Sequence, residues 1–215
     1  MVTLKAAALL FDMDGTLVDS RASVERTWRR WAAPRGLDAD ALLRVAHGRR
    51  TRETLATVVA PAQLDAAVAE LDAAELIDLA GTVEVAGARA LVATLPDRAW
   101  AIVTSAGKEL ARLRLRAAGI PVPRLLVSSE DVLRGKPDPE GYLLAASRLG
   151  AAPDRCLVFE DTPAGIGAGL AAGARVLGLT TTHERARLTG AIAILDDYRG
   201  VRLTQETQEW RVDLP

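Results

Sequence analysis

Short apolar runs recur along the chain, each ending abruptly in polar residues and separated from the next by a longer stretch of helical periodicity. Residues 6–11 (AAALLF) predict a buried strand that stops at the turn Asp12-Met13-Asp14-Gly15. Residues 100–103 (WAIV), 124–127 (RLLV), 156–159 (CLVF) and 175–179 (RVLGL) predict further strands, with helical stretches at 107–118, 139–149 and 163–172. Such alternation predicts βαβ units, hence an α/β fold: a doubly wound, Rossmann-like parallel sheet covered by helices on both faces.

Residues 17–86 break the rhythm. Val24, Trp28, Trp31 and Ala32 recur at the spacing of one helix face, and residues 37–45, 52–59 and 61–79 continue in the same style, with Pro34-Arg35-Gly36 as a helix stop. No strand pattern occurs there. The reading is a small helical domain of four helices inserted at 17–86 between core parts 1–16 and 87–215. Trp28 and Trp31 lie on its apolar face and read as core packing. Residues 201–203 and 209–212 suggest a small terminal hairpin.

Composition narrows the classes. Of 215 residues, 49% are hydrophobic and 26% charged, a balance that supports a buried core and excludes disorder. Lys and Arg (27) nearly cancel Asp and Glu (28), so no global positive field exists and a nucleic-acid partner is not expected. No run approaches the roughly 18 apolar residues of a membrane span, and residues 6–11 are too short for a signal-peptide core. The single cysteine, Cys156, excludes an internal disulfide, and with two histidines it cannot furnish a structural zinc set; such usage suits a reducing, cytoplasmic setting.

In open α/β sheets ligands bind beyond the carboxyl ends of the strands. Asp12 and Asp14 follow the first run, Thr104 and Ser105 the second, Lys136 the third by a loop, and Glu160 and Asp161 the fourth. Clustered carboxylates repel unless a divalent cation neutralises them, and an all-oxygen donor set points to Mg²⁺ rather than zinc. Such a cation beside a lysine and hydroxyls makes a receptor for a phosphoryl group, and a carboxylate in the same place can act as nucleophile. On an extended segment residues i and i+2 point the same way, so Asp12 can attack phosphorus while Asp14 reaches the leaving oxygen. Gly15 permits the turn and Thr16 can brace it locally; Thr104-Ser105 also reads as an N-cap for the next helix. Gly167 to Ala172 match a dinucleotide-binding glycine pattern, but inside a helix rather than at a strand-to-helix turn, so they read as packing glycines.

FDMDGTLVDS (11–20), VTSA (103–106), GKPDP (135–139) and FEDTPAGIGAG (159–169) resemble, in order, the motifs of the haloacid dehalogenase-like superfamily in its helical-cap branch. The resemblance implies that Asp12 is the nucleophile and Asp14 the general acid/base, its backbone carbonyl also touching Mg²⁺. It implies that Thr104, Ser105 and Lys136 hold the phosphoryl group. Asp161 would complete the metal site directly and Glu160 directly or through water, beneath a cap formed by the helical insertion.

Dehalogenases of the superfamily lack the second aspartate, here Asp14, and phosphonate-cleaving members need a cap lysine, whereas residues 17–86 contain none. A phosphomutase would carry a histidine where Val24 stands and an arginine near Thr51. The implied activity is therefore a Mg²⁺-dependent phosphatase, with a sugar phosphomutase or a non-catalytic phosphometabolite sensor as alternatives. The cap segments VDSRASVERTWRRWAAPRGL and AHGRRTRETL resemble bacterial sugar and hexitol phosphatases, which implies a small sugar or polyol phosphate as substrate. Glu25, His47 and Arg49 are the candidate cap contacts to it.

Overall fold

The structure is a computed structural model and describes residues 2–207 and 209–215. The chain opens with β1 (Val2–Ala6) and β2 (Ala8–Phe11), so the first apolar run is divided at Ala7 between two strands. A two-residue strand β3 (Val18–Asp19) leads into α1 (Arg21–Ala32), α2 (Ala39–Ala46), α3 (Thr51–Leu55) and α4 (Pro61–Ile77). A matching strand β4 (Val83–Glu84) leads out and pairs antiparallel with β3. The absence of strands expected between 17 and 86 is thus corrected: a short ribbon joins the insertion to the core. It holds two backbone pairs, too few to leave an alternating pattern.

The remaining elements are α5 (Ala88–Val92), β5 (Trp100–Val103), α6 (Lys108–Ala117), β6 (Leu126–Val127), α7 (Glu140–Leu149), β7 (Cys156–Glu160) and α8 (Pro163–Ala171). They are followed by β8 (Arg175–Leu179), β9 (Ala193–Leu195), β10 (Arg202–Gln205) and β11 (Trp210–Leu214). The main sheet has six strands in the order β6-β5-β2-β7-β8-β9, all parallel. The terminal hairpin is present as β10 and β11, extended by β1 into a three-stranded sheet.

Side-chain alternation explains why helices cover both faces. On β2, β5 and β7, Leu9, Phe11, Trp100, Ile102, Leu157 and Phe159 enter one buried cluster, which α6 and the small sheet cover. Leu10, Ala101, Val103, Cys156 and Val158 enter the other, under α7 and α8. The insertion has its own cluster, built on Trp28, Trp31, Leu42, Leu55 and Leu71. No helix among the described residues is long and apolar enough to cross a membrane.

The order of connections fixes where a ligand can enter. From β2 the chain builds outward through β5 to β6, then returns past β2 to build β7, β8 and β9 on the other side. Connections therefore leave β2 and β7 in opposite directions, which opens a crevice above their carboxyl ends.

Candidate active site

β2 and β7 lie in register with Phe11 opposite Phe159, the two rings stacked at 4.5 Å, and Asp12 N–H donates to the Phe159 carbonyl at 3.0 Å. This pairing brings Asp12 level with Glu160. One oxygen from each of Asp12, Glu160 and Asp161 falls within 4.8 Å of the others, and all three residues are buried.

Lys136 closes the group from the loop before α7. Its Nζ donates to Asp12 Oδ1 and, at 2.6 Å, to Glu160 Oε1. Glu160 Oε1 also accepts from Tyr142 Oη at 2.9 Å, while Oε2 accepts from Asp161 N–H, Thr162 N–H and Thr162 Oγ1, each at 3.1 Å. With both oxygens occupied, Glu160 orients Lys136 and the start of α8 more than it offers itself to a metal. Thr162 caps α8 by accepting from Gly165 N–H at 3.0 Å, and a Cβ on Gly165 would overlap the Glu160 carboxylate. A glycine is required there by space. Gly169 meets a similar limit: a Cβ on it would come within 2.8 Å of Val176, which supports the packing reading of those helix glycines.

Asp161 receives two hydroxyls, Thr16 Oγ1 on Oδ1 at 2.9 Å and Thr182 Oγ1 on Oδ2. Thr16 therefore does not brace its own turn, as expected, but ties that turn to β7. Gly15 adopts φ +83°, and a Cβ on it would strike Asp161. Thr104 Oγ1 accepts from Ala106 N–H at 3.1 Å, whereas α6 begins after Gly107 with no side-chain cap, so the expected N-cap at Thr104-Ser105 is not formed. Ser105 instead donates to the Gly48 carbonyl of the insertion at 2.9 Å.

The electrostatics favour an added cation. Burial pushes the Asp12 carboxyl up to about 7; Lys136 pulls it down, while Glu160 and Asp14 push it further up. Burial, with Asp12 and Glu160, raises Asp161 well above the carboxylate range. Lys136 is held above its ordinary value by Asp12 and Glu160 despite its own burial. Two buried carboxyls that resist ionisation, on an oxygen-only donor set, fit a hard divalent ion such as Mg²⁺.

Asp14 stands apart from that trio. Its Oδ1 accepts from Ser20 Oγ at 2.6 Å and its Oδ2 from Arg114 Nη1 at 3.1 Å. Asp12, Asp14, Thr104 and Ser105 line one cavity of about 70 Å³, together with Val24, Trp28, His47, Arg49, Thr51, Glu75 and Arg114 from the insertion and α6. An adjoining space of about 350 Å³ shares Thr51, Glu75, Ser105 and Ala106. Of the cap candidates, His47 and Arg49 reach the wall. Glu25 is exposed on α1 and is not among the lining residues. Burial lowers the His47 pKa.

Glu75 and Arg114 are functional candidates that the sequence reading missed. A signal existed: Ala67, Leu71 and Glu75 recur every four residues on the buried face of α4, and Arg114 shares the buried face of α6 with Leu110, Ala111 and Leu115. A charge on an apolar stripe needs a partner or a ligand.

The family model for haloacid dehalogenase-like hydrolases matches residues 6–173. Hexitol phosphatase A of Escherichia coli is 38% identical over 208 residues, covering 94% of this chain and 96% of that protein. Validoxylamine A 7'-phosphate phosphatase of Streptomyces hygroscopicus subsp. limoneus is 39% identical over 201 residues, covering 90% and 94%. The crystal structure of a hydrolase from Pseudomonas syringae superposes with a TM-score of 0.80 at 26% identity, over 88% of this chain and 93% of that one.

Proposed function

The chain belongs to the haloacid dehalogenase-like hydrolases, and we propose on that premise that it is a phosphatase that hydrolyses a small sugar or polyol phosphate through an aspartyl-phosphate on Asp12. The observation that carries this reading is the placement of buried Asp12 against Lys136 at the floor of a cavity whose wall holds Asp14.

An Asp12 carboxylate oxygen attacks phosphorus and the ester P–O bond breaks. The departing alkoxide takes a proton from Asp14, which Ser20 and Arg114 hold in place. In the second half, Asp14 accepts a proton from water as its oxygen attacks phosphorus, freeing Asp12 and phosphate. Lys136, which donates to Asp12, and Thr104, which shares a cavity lining with each of them, would compensate charge on the transferring group. Asp12 and Asp161 would hold Mg²⁺, with Glu160 behind them and the Asp14 backbone carbonyl as a further ligand; when bound, the ion neutralises phosphoryl charge. The insertion acts as a cap that excludes water, docked by Ser105 on Gly48. The buried single cysteine suits a reducing cytoplasm.

Val24 stands where a mutase would place its histidine, and Thr51, between Arg50 and Arg52, stands near the place of its arginine; both line the cavity, and Val24 in that position favours net hydrolysis over isomerisation. The test is phosphate release across hexose, hexitol, deoxyhexose and glycerol phosphates. Mg²⁺-dependent release that is lost on chelation is expected; interconversion of monophosphate isomers without release would establish a mutase instead.

A further inference from the structure

The cavity wall contains a further carboxylate, Glu75, that the chemistry above does not use, joined to it by Arg114, which also holds Asp14. Glu75 of α4 is 6% exposed and Arg114 of α6 is 4% exposed. Glu75 Oε1 accepts from Trp28 Nε1 at 3.1 Å and faces Arg114 Nη2 at 3.4 Å, while Arg114 Nη1 holds Asp14 at 3.1 Å. One guanidinium thus spans the two carboxylates, one from the core and one from the insertion. Glu75 Oε2 takes no hydrogen bond among the described residues, and Arg114 Nε is buried with no partner. Glu75 also sits where the smaller cavity over Asp12 and Asp14 opens into the larger one.

A carboxylate fixed by one oxygen, with the other unpaired and accessible on a residue that lines two adjoining cavities, can accept from a donor that enters them. Its position relative to Asp14 says which donor. If Asp14 protonates the bridging oxygen of the ester, as proposed, then Glu75, at the far end of the same guanidinium, would face the leaving group beyond that oxygen. The donor there is neutral, because Arg114 already supplies the positive charge, and Trp28 and Val24 offer apolar wall for C–H groups beside it. A second phosphate or a carboxylate at that point would meet the Glu75 charge and be repelled.

We propose that Glu75 Oε2 accepts a hydroxyl of the leaving group, which makes Glu75 the residue by which this site selects polyhydroxylated phosphate esters. The proposal rests on the phosphatase reading and names how that site chooses its substrate. Arg114 is its positioning partner, holding Glu75 and Asp14 in mutual register.

The test uses the full chain carrying Asp12→Asn, titrated by calorimetry in Mg²⁺ with a hexitol 6-phosphate and with ethyl phosphate, which has no hydroxyl. The hexitol ester is expected to bind tighter by roughly tenfold or more, the scale of a hydrogen bond to a charged group. Adding Glu75→Gln replaces the accepting oxygen by an amide donor yet leaves an oxygen for Trp28 and Arg114. Adding Glu75→Asp keeps the charge and withdraws it by one methylene. Each variant, its fold checked by thermal melting, is expected to bring the two affinities level. A preference that persists in both, a parallel fall for both ligands, or equal binding by the parent overturns the proposal. Failure of the phosphatase reading shows separately: the wild-type chain would release no phosphate from the hexitol ester while the binding preference and its loss persisted.

Discussion

Asp12 illustrates how single residues set the behaviour of the site. Burial pushes its carboxyl up to about 7 from an ordinary 3.8, and Asp161 is raised in the same sense. A raised acid binds its proton more tightly folded than unfolded, so its contribution to stability is full below about 4 and is lost as pH climbs through about 7. His47 and His183 act in the opposite direction, because burial lowers both, and what they contribute is lost as pH falls below 6.5. The two effects separate on adding Mg²⁺, whose ligands must be deprotonated. The stabilisation conferred by Mg²⁺ should therefore be small near about pH 5 and grow by about pH 7.5, as read by melting temperature with and without the ion. An increment independent of pH would place the ion elsewhere. The motif residues were legible because each follows an apolar run that the eye reads as a strand. Glu75 and Arg114 were harder to see, since a charge on an amphipathic helix reads as a solvated face unless its spacing from the apolar residues of that helix is followed.

Among the elements, α1 to α4, α6, α7 and α8 follow from helical periodicity to within a few residues, and β2, β5, β6, β7 and β8 from their apolar runs. What the pattern did not disclose are elements whose identity depends on a distant partner: β1 against β11, the β3–β4 ribbon, and β9 beside β8. β3, β4 and β9, with two or three residues each, carry too little alternation to declare themselves, and the five residues of β1 are mostly exposed. The docking of α3 on the core was equally hidden. Arg50, just before α3, donates to the carbonyls of Val132 and Leu133 at 3.0 Å each, in the loop that leads to Lys136. This contact couples the insertion to the loop that carries Lys136, and if the insertion caps the site as proposed, a looser hold would open it to water. Arg50→Ala should raise KM for a sugar phosphate by roughly tenfold while shifting the melting temperature little. Steady-state kinetics beside a thermal melt checks this, and an unchanged KM would mean that the contact plays no part in closure.

At the scale of the molecule, the parallel sheet supplies a fixed floor and the insertion a separately packed wall, with the reacting groups at the seam. Asp12, Lys136, Glu160 and Asp161 come from the core, whereas Glu75, His47 and Arg49 come from the insertion. On the proposed reading, this division places the chemistry in motifs at strand ends and the selectivity on helix faces that no motif marks. The central claim is that the floor works through covalent catalysis by Asp12. It is tested most directly by quenching turnover of a sugar phosphate in acid and measuring the mass of the intact chain and of its peptides. A phosphoryl group on Asp12, present during turnover and absent together with activity in Asp12→Asn, is the predicted result. Continued phosphate release by Asp12→Asn, or phosphate release by the wild type with no phosphoryl group ever found on Asp12, would contradict the account.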